Sequence, residues 1–363
     1  MEKKLIEVCR IQYGYAFDSA KFSDSQGVPL IRIRDVVRGF SETFTTEECG
    51  EEYIVNDGDM LIGMDGEFNI AHWKGGKAYL NQRVCRLIPS NEVDALYLYY
   101  FMPKALKAIE DKTPFVTVKH LSAKELNKVI VPVPLMDEQK KIANSLKKVD
   151  ELISLRKEQL AKLDQLVKSR FIELFGDGHD GKAPTKMLGS ICKFQQGTQI
   201  PVEEQFEEQI SGYKRFLRII DYTQAPQPPR YVNVNGKEVD EKSVVIVRYG
   251  ATAGFVGRGY QGILANNLFE IMPDETILSK DFLFLALKYG TFEEEVHAKA
   301  FGAAMPALSF SMMNDIPVVV PATEQQQQFV SFVKQTDKSK RAIQQSLDKL
   351  ELLKKSLMQE YFG

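Results

Sequence analysis

One long stretch of this chain occurs twice. Residues 136–176 recur as residues 323–363, because a shift of 187 positions brings Gln139 onto Gln326 and keeps the two segments in register. Further matches at this shift are Pro134 with Pro321, Lys147 with Lys334, Leu160 with Leu347, Leu163 with Leu350, Lys168-Ser169 with Lys355-Ser356, and Phe175-Gly176 with Phe362-Gly363. Low-complexity composition does not produce such a register. The chain is therefore predicted to be a tandem duplication in which each half ends in the same long helix.

Both copies of this segment carry apolar residues at heptad spacing. In the first copy the two apolar rows are Leu146, Ile153, Leu160, Val167 and Leu174, and Ile142, Val149 and Leu163. In the second copy they are Val333, Leu347 and Tyr361, and Phe329, Ile343, Leu350 and Leu357. Two rows with a mean spacing of about 3.5 residues are typical of a coiled-coil seam. One such segment alone favours an amphipathic helix on a globular core, whereas two segments in matching register favour a coiled coil between them.

Basic residues interrupt this seam at Arg156, Arg170, Lys340 and Lys354. A basic side chain in such a position either carries its charge to solvent along an apolar stem or pairs with an acid. Polar seam residues can also fix the register and orientation of the helices. We expect these four side chains to snorkel or to form ion pairs.

The composition predicts an ordinary globular protein of two or three domains. The chain has 363 residues, of which 44% are hydrophobic and 26% are charged, so each domain can bury its own core. The net charge is −2 and the pI is about 6.2, which excludes the overall basic character of many nucleic-acid binders. Local basic patches, or a partner that supplies phosphate contacts, remain compatible with these values.

The cysteines and histidines do not predict a metal or disulfide site. Cys9, Cys49, Cys85 and Cys192 are scattered without a CxxC pair, and no histidine lies at zinc spacing. Cys9 and Cys192 occupy equivalent places in the two halves and are interpreted as small core residues. The chain begins without a signal peptide and has no apolar run of about eighteen residues, which predicts a soluble, cytoplasmic protein.

Motifs that resemble catalytic or nucleotide sites are incomplete. The spacing from Gly176 to Lys182 approaches a P-loop, but Ala183 replaces the Ser or Thr that would hold magnesium. Pro228-Pro229-Arg230-Tyr231 resembles the loop of amino methyltransferases, but Arg230 stands in the aromatic position and no S-adenosylmethionine glycine loop accompanies it. The sequence therefore predicts a chain that is not itself an enzyme.

The duplication divides the chain into five predicted segments. These are a first globular segment at 1–133, a central helix at 134–176, a linker at 177–184, a second globular segment at 185–320 and a final helix at 321–363. Alternating apolar and charged residues predict a strand at 29–36, and a helical pattern covers 96–110. Arg32 to Asp35 is mirrored by Arg218-Ile219-Ile220-Asp221, and Met64 to Phe68 is replaced by Arg248-Tyr249-Gly250-Ala251-Thr252.

With these features, the chain resembles the specificity subunits of type I restriction–modification enzymes over nearly its whole length. The resemblance depends on the two-copy layout, the run Gly58-Asp59-Met60-Leu61-Ile62-Gly63-Met64-Asp65-Gly66-Glu67-Phe68, the exit Pro132-Val133-Pro134 to Glu138-Gln139, and the helix end Leu174-Phe175-Gly176. It implies an α+β fold: two similar target-recognition domains, each a mixed β-sheet with short helices, joined and spaced by two long helices. The helices are expected to form an antiparallel coiled coil with pseudo-two-fold internal symmetry.

The resemblance also implies function and partners. Each domain is expected to read one half of a split, asymmetric sequence in double-stranded DNA. The helices are expected to space the two domains and to dock two modification subunits, and a restriction motor–nuclease subunit can join the complex. The chain itself needs no cofactor, because S-adenosylmethionine binds to the modification subunit.

Polar residues in the predicted turns are candidates for DNA contacts. Side chains that can make bidentate contacts to bases are Asn81, Gln82 and Arg83 in the first domain, and Arg248, Asn266 and Asn267 in the second. Candidate phosphate contacts are Lys74, Lys77, Lys119, Arg230 and Arg258. Gly66 and Gly250 are expected to serve backbone geometry near the loop that faces DNA.

Two other functions are compatible with the sequence. The chain could be a coiled-coil adaptor with two protein-binding domains, or a self-contained DNA methyltransferase. The incomplete cofactor motifs speak against the methyltransferase. The bases read and the length of the spacer between half-sites do not follow from the sequence.

Overall fold

A computed structural model describes residues 1–113, 119–176, 182–223, 227–300 and 307–363. These residues form two compact units. Unit 1 consists of Met1–Arg156 together with Ser346–Gly363, and unit 2 consists of Lys157–Gln345. Most of the predicted linker at 177–184 lies outside the described residues, and the predicted domain boundaries stay a prediction. Among the described helices, none combines the length and apolar character that a membrane span requires.

Unit 1 alternates short strands with short helices before the first long helix begins. Its strands are β1 Glu2–Lys4, β2 Cys9–Tyr13, β3 Phe22–Ser23, β4 Val28–Ile31, β5 Phe44–Thr45, β6 Ile54–Val55, β7 Met60–Gly63, β8 Asn69–His72, β9 Ala78–Leu80, β10 Val84–Pro89 and β11 Ile130–Pro132. Its helices are α1 Leu5–Val8, α2 Ile33–Arg38, α3 Ala95–Lys112 and α4 Ala123–Asn127, followed by α5 Met136–Phe175, which continues into unit 2. The predicted helix at 96–110 is confirmed as α3.

The described strands of unit 1 form three sheets. The order β2-β10-β7-β8 is antiparallel throughout, and β1 pairs antiparallel with β11. The order β3-β5-β4-β9-β6 is mixed, because β4 and β9 run parallel. Mixed sheets with short helices confirm the predicted α+β class.

Unit 2 repeats this succession of elements. Its strands are β12 Thr185–Met187, β13 Cys192–Gln196, β14 Lys214–Leu217, β15 Arg230–Val232, β16 Glu238–Val239, β17 Val244–Val247, β18 Val256–Gly257, β19 Gly262–Leu264, β20 Leu268–Pro273 and β21 Pro317–Val319. Its helices are α6 Leu188–Ile191, α7 Ile219–Thr223, α8 Lys280–Tyr289, α9 Phe292–Ala300 and α10 Phe310–Asn314, followed by α11 Thr323–Phe362, which ends in unit 1.

The sheet topology of unit 2 matches that of unit 1. The antiparallel order β13-β20-β17-β18 corresponds to β2-β10-β7-β8, and β12 pairs with β21 as β1 pairs with β11. In the sheet β15-β14-β19-β16, the parallel pair β14 and β19 corresponds to β4 and β9. The two units therefore share one architecture, as the internal repeat predicted.

One strand in each unit is buried on both faces. In β7, Met60 and Ile62 lie in the larger core of unit 1, while Leu61 lies in a smaller core. In β17, Val244 and Ile246 belong to one core of unit 2, while Val245 and Val247 belong to the other. Successive side chains of a strand point to opposite faces, so a strand between two cores is apolar at every position.

The strand predicted at 29–36 is wrong beyond Ile31. The chain turns into α2, and the Asp35 carboxylate accepts a hydrogen bond from the Arg32 backbone amide at 2.9 Å. Gly39 ends the helix with a φ of 77°, which glycine adopts without strain. The alternation of apolar and charged residues over positions 29–36 fits a single strand. It fits equally well a shorter strand that is followed by a capped helix.

The long helices run antiparallel where they meet within unit 1. Leu146 of α5 shares a core with Phe362 of α11. The Lys354 ammonium lies 2.6 Å from the Asp150 carboxylate. Asp150 follows Leu146 along α5, whereas Lys354 precedes Phe362 along α11, so the two helices run in opposite directions. Lys354 thus forms the ion pair expected of a basic seam residue.

The same arrangement holds within unit 2. Val167 of α5 shares a core with Phe329 and Val333 of α11, and Lys340 pairs with the Asp164 carboxylate. Predicted seam residues that are buried are Ile142, Leu146, Val149, Val167, Phe329, Val333 and Leu347. Those that are partly buried are Ile153, Leu160, Leu163, Ile343, Leu350 and Leu357.

Leu174 does not belong to the seam. Its side chain is exposed, whereas Phe171 and Phe175 are buried in the core of unit 2. From Val167 onward the buried positions advance in steps of four residues. This spacing presents one face of a straight helix to a globular core instead of following a heptad seam.

A buried glutamine fixes the start of each long helix. The Gln139 amide accepts a hydrogen bond from the Asp94 backbone amide at 2.8 Å and donates to the carbonyls of Glu92 and Pro134 at 3.1 and 2.9 Å. Its repeat partner makes the same three bonds in unit 2. Gln326 accepts from the Ser279 backbone amide at 3.1 Å and donates to the carbonyls of Ile277 and Pro321 at 2.9 and 3.0 Å.

The end of the chain completes the core of unit 1. Phe362 is buried, and its ring centroid lies 5.3 Å from that of Tyr97 and 5.8 Å from that of Phe101. Tyr97 and Phe101 are on α3. The last helix therefore supplies aromatic packing to residues far earlier in the sequence.

Candidate nucleic-acid interface

A polar cleft of about 430 Å³ opens on the surface of unit 1. It lies where the end of β4, the turn between β9 and β10, and the segment after β2 meet. Its lining includes Phe17, Ser19, Arg32, Arg34, Asn81, Gln82 and Arg83. The three predicted base-reading residues of unit 1 therefore come together, and two arginines that were not predicted join them.

A buried carboxylate organises the β4–α2 side of this cleft. Asp35 is fully buried and accepts hydrogen bonds from the Arg32 backbone amide at 2.9 Å and from the Ser41 hydroxyl at 3.2 Å. The Arg34 Nε lies 3.5 Å from Asp35, and its Nη2 donates to the Thr43 hydroxyl at 3.3 Å. Both hydrogen bonds go to Asp35 Oδ2, while the buried Oδ1 has no hydrogen-bond partner among the described residues and faces the Arg34 guanidinium, which offsets part of the cost of burying the charge.

The Arg32 side chain has no such restraint. It is exposed, and no carboxylate among the described residues pairs with its guanidinium. Its five N–H donors are therefore free to contact a ligand in the cleft. Arg34 and Arg32 thus present one oriented and one free guanidinium on the same side.

The turn from Asn81 to Arg83 forms the opposite side. Asn81 is buried, and its Oδ1 accepts from the Arg83 backbone amide at 3.4 Å, while the Gln82 backbone amide donates to the Tyr15 carbonyl at 2.9 Å. The backbone at Gly14 passes so close that a Cβ there would lie 2.0 Å from the Asn81 carbonyl oxygen. These bonds hold the turn, so the exposed side chains of Gln82 and Arg83 project from a fixed backbone.

The glycine-containing loop after β7 supports Arg83. Asp65 lies 3.5 Å from the Arg83 Nε, and its other oxygen lies 2.5 Å from His120 Nδ1. Gly66 has a φ of 75°, and its backbone amide donates to the Lys119 carbonyl at 2.9 Å. Gly250 has a φ of 84° at the same place in unit 2, so the prediction that both glycines serve backbone geometry is confirmed.

Shared backbone hydrogen bonds align the two units residue by residue. Met64 N donates to the Arg83 carbonyl in unit 1, and Arg248 N donates to the Asn267 carbonyl in unit 2. Leu121 N then donates to the Met64 carbonyl, as Leu308 N does to the Arg248 carbonyl. Asn267 therefore occupies the position of Arg83, and Asn266 that of Gln82.

The predicted base readers of unit 2 are more restrained than those of unit 1. The Arg248 guanidinium lies over the ring of Tyr249 at 4.6 Å, and its Nε donates to the Leu308 carbonyl at 3.3 Å. The Asn267 Oδ1 is buried, with no hydrogen-bond partner among the described residues. Asn266 is partly exposed, and its Nδ2 donates to Gln199 Oε1 at 3.4 Å. This geometry favours Asn266 over its neighbours as a contact residue.

Two of the predicted phosphate contacts are available and three are occupied. Lys74 and Lys77 are exposed, and no ion pair joins either to another described residue. Lys119 donates to the Glu110 carbonyl at 2.8 Å, Arg230 lies 2.7 Å from Glu207, and Arg258 lies 2.9 Å from Asp281. Exposed lysines without partners are more readily available to a phosphate, so Lys74 and Lys77 fit this role best, and the phosphate contacts of all five residues stay a prediction.

Sequence reasoning missed Arg32 and Arg34, because it assigned them to the outer face of a strand. The available signal was the repeated spacing of an arginine and an aspartate three residues apart, Arg32 with Asp35 and Arg218 with Asp221. In unit 2 this aspartate is again buried and accepts from the Arg218 backbone amide at 2.9 Å. The recurrence of a charged pair in a diverged segment indicates a shared turn.

The cysteines lie in apolar surroundings. Burial raises the pKa of the Cys9 thiol to about 11 and those of Cys85 and Cys192 to about 12. These three are core residues, as predicted for Cys9 and Cys192. Within the described ranges, no group of three or more His, Cys, Asp or Glu side chains is placed to hold a metal ion.

Two units of one architecture thus present different polar side chains on matching turns, an arrangement that suits a duplicated DNA-recognition protein. The family comparison agrees. Residues 1–165 and 183–352 match the type I restriction modification DNA specificity domain, and the chain belongs to this family.

Similar proteins cover nearly the whole chain. The EcoBI specificity subunit of Escherichia coli is 26% identical over 398 aligned residues, which cover 98% of this chain and 84% of that protein. The MjaVIII specificity subunit of Methanocaldococcus jannaschii is 23% identical and covers 91% of this chain and 87% of that protein. The recognised resemblance is therefore confirmed at the level of the family.

Solved structures show the same fold. The S subunit of a type I restriction–modification system from M. genitalium superposes with a TM-score of 0.63 at 16% identity and covers 100% of this chain and 96% of that chain. A second chain, from a structure of a type I restriction–modification system, gives a TM-score of 0.59 at 18% identity and covers 100% and 97%. At these identities the likeness establishes the architecture and not the contacts to DNA.

Proposed function

We propose that units 1 and 2 each read one half of a bipartite, asymmetric DNA target. The observation that carries this proposal is the pair of matching turns with different side chains. Gln82 and Arg83 project in unit 1 where Asn266 and Asn267 stand in unit 2. One architecture with two sets of polar side chains suits recognition of two different sequences, because hydrogen bonds to base edges carry the sequence information.

In this proposal the long helices set the distance between half-sites and dock two modification subunits. Several large apolar side chains on α5 and α11 are exposed to solvent, which is unfavourable unless a partner covers them. These residues are Leu152, Leu155, Leu166, Ile172, Leu352 and Leu353. A modification subunit seated on each pair of helix segments covers such residues.

The chain itself contributes recognition, and methyl transfer belongs to the modification subunits, which bind S-adenosylmethionine. The net charge of −2 supports this division, because a chain with little excess positive charge gains affinity when its partners add phosphate contacts. A restriction motor–nuclease subunit extends the same complex. The match of both halves to a DNA specificity domain favours this function over the adaptor and over the self-contained methyltransferase.

The test is the adenine methylation pattern of cells that express this chain with its modification subunit. We expect a split motif. Exchange of residues 185–320 for the corresponding segment of another specificity subunit is expected to change one half of the motif and leave the other half intact. An unsplit motif, or a change in both halves, contradicts the proposal.

A further inference from the structure

Three positions that line the cleft of unit 1 have counterparts in unit 2, and two of the three hold a different residue type there. Arg32 and Arg34 of unit 1 correspond to Arg218 and Ile220 of unit 2, because Asp35 and Asp221 anchor the same turn. Arg83 corresponds to Asn267 through the shared backbone bonds. At these three positions unit 1 has three arginines and unit 2 has one. A further arginine of unit 2, Arg248, stands where unit 1 has Met64, and its guanidinium lies over the Tyr249 ring.

The one arginine that unit 2 retains is occupied. The Arg218 Nε donates to Asp221 at 3.0 Å, and its Nη2 donates to the Pro228 carbonyl at 3.0 Å. Asp221 also accepts from the Arg215 Nη2 at 3.1 Å. Arg218 is therefore a structural residue, whereas its counterpart Arg32 is exposed and has no carboxylate partner among the described residues.

Unit 2 has carboxamides on this edge instead. Gln196 donates to the Asn266 carbonyl at 2.7 Å, and the Asn266 amide donates to Gln199 Oε1 at 3.4 Å. Gln196 and Gln199 are exposed. The matching positions of unit 1, counted from Gly14 and Gly197 at equivalent close approaches, hold Tyr13 and Ala16.

We propose that the arginine edge of unit 1 reads guanine and that the carboxamide edge of unit 2 reads adenine in their respective half-sites. This inference rests on the proposed function. The guanidinium fork matches O6 and N7 of guanine, and a carboxamide matches N6 and N7 of adenine, both in the major groove. The residues that carry the difference are Arg32, Arg34 and Arg83 in unit 1, and Gln196, Gln199 and Asn266 in unit 2.

Arg34 and Arg83 each pair with an aspartate, yet 51% and 52% of their side-chain surface stays exposed, whereas Arg218 and Arg258 are only 20% and 24% exposed in their pairs. Restrained but accessible guanidiniums favour base reading over phosphate binding for Arg34 and Arg83. Asp35 and Thr43 orient the guanidinium of Arg34, and Asp65 orients that of Arg83. An oriented planar fork loses little freedom when it makes two parallel hydrogen bonds to one base. Lys74 and Lys77 are exposed point charges without ion-pair partners among the described residues, so they suit contacts to the phosphates on either side of that base.

The first test measures binding of the complete complex of this chain and its modification subunits to duplexes that carry the methylated motif. Arg32→Ala is expected to weaken binding of the cognate duplex roughly 10- to 100-fold. The loss is expected to disappear when the guanine in the unit 1 half-site is replaced, because the variant no longer distinguishes that base. Arg38→Ala is the matched control, since Arg38 ends the helix that Arg32 precedes and pairs with Glu42 outside the cleft.

Arg32→Lys keeps the charge and removes the fork. This variant is expected to bind non-specific duplex as the unsubstituted complex does and to lose discrimination at the same base pair. Because Arg32 makes no ion pair within the described chain, neither substitution is expected to disturb folding. Equal weakening of cognate and non-specific duplexes by Arg32→Ala, with full rescue by Arg32→Lys, shows a phosphate contact and overturns the proposal.

The second test concerns unit 2. Gln199→Ala and Asn266→Ala are each expected to relax selection of an adenine in the half-site that changes when residues 185–320 are exchanged. Asn233→Ala is the control, because Asn233 is exposed and lies outside the carboxamide cluster. A split motif whose unit 1 half contains no required guanine overturns this inference and leaves the proposed function standing. Absence of a split motif overturns the proposed function itself.

Discussion

At the scale of single residues, equivalent arginines have different roles in the two units, because the groups within hydrogen-bonding distance of their guanidiniums differ. Arg32 and Arg218 follow equivalent strands and precede equivalent aspartates. Only the guanidinium of Arg218 donates hydrogen bonds to a carboxylate and to a backbone carbonyl. Sequence reasoning could locate the polar turn at Asn81 to Arg83. It could not find that Arg258 pairs with Asp281, because such pairs depend on packing between separate elements.

Buried thiols and phenols give a prediction about pH at this scale. Burial raises the pKa of Cys85 and Cys192 from 9.0 to about 12 and that of Tyr97 from 10.0 to about 12. Between the unfolded and folded pKa values the folded chain holds more protons than the unfolded chain, so stability decreases as pH rises. Stability from these groups is complete below about pH 9 and is lost progressively above it.

Chemical denaturation at a series of pH values measures this effect. The denaturant concentration at the unfolding midpoint is expected to decrease as the pH rises from 9 to 11. It is expected to stay nearly constant between pH 7 and pH 8.5. Labelling of the native chain with a thiol reagent at pH 8 is expected to favour Cys49, which is the partly exposed cysteine. Rapid labelling of Cys85 in the native state would contradict its burial.

At the scale of elements, the helix pattern was the most predictable part of the molecule. α5 and α11 begin at the first residue of each repeat and end one residue before its last, because a sustained apolar periodicity survives differences in local packing. The segments predicted as helices at 134–176 and 321–363 begin two residues earlier than the helices do. The errors were local. Leu174 is not in the seam, because aromatic residues of the same helix fill the core of unit 2. The second part of the strand predicted at 29–36 is a capped helix.

The buried glutamines at the helix starts lead to a second prediction. Gln139→Leu is expected to leave the Asp94 amide and two carbonyls without partners, each a loss of roughly 1–3 kcal/mol if no water replaces the bond. Gln326→Leu is expected to act equally in unit 2. Gln327→Leu, on the exposed face of the same helix turn, is the control.

Hydrogen exchange of the helix starts measures this loss locally, which is useful because two units need not unfold in one transition. Faster exchange near Asp94 and across the first turn of α5 is the expected result for Gln139→Leu. Unchanged exchange in both glutamine variants would show that these bonds contribute little. A glutamate at position 139 is expected to be more damaging than leucine, because it cannot donate to the carbonyls and buries a charge.

At the scale of the whole molecule, a net charge of −2 restricts how strongly the chain can bind DNA without partners. Each phosphate contact contributes close to one unit to the slope of log affinity against log salt concentration. The exposed lysines of unit 1 therefore predict that some lysine substitutions reduce this slope and others do not. Lys74→Ala and Lys77→Ala are each expected to reduce the slope for the complete complex by about 0.9.

Lys119→Ala is the matched control for this measurement, because its ammonium already contacts Glu110. It is expected to leave the slope unchanged while affecting stability. Binding titrations between 50 and 200 mM salt, roughly the range over which such slopes are steep, give the comparison. A reduction of the slope by about 0.9 for Lys119→Ala, or no reduction for Lys74→Ala and Lys77→Ala, would reverse the assignment of phosphate contacts.

The division of the chain into units also has a consequence for biosynthesis. Residues 157–345 complete unit 2 as one continuous segment, whereas unit 1 needs Ser346–Gly363 in addition to Met1–Arg156. During translation from the N-terminus, the part synthesised first therefore stays without its last packing partner until Ser346–Gly363 has been synthesised. Tyr97 and Phe101 lack the aromatic contact of Phe362 until that residue has been synthesised. The nascent unit 1 is therefore expected to expose apolar surface to chaperones and proteases for longer than unit 2 does.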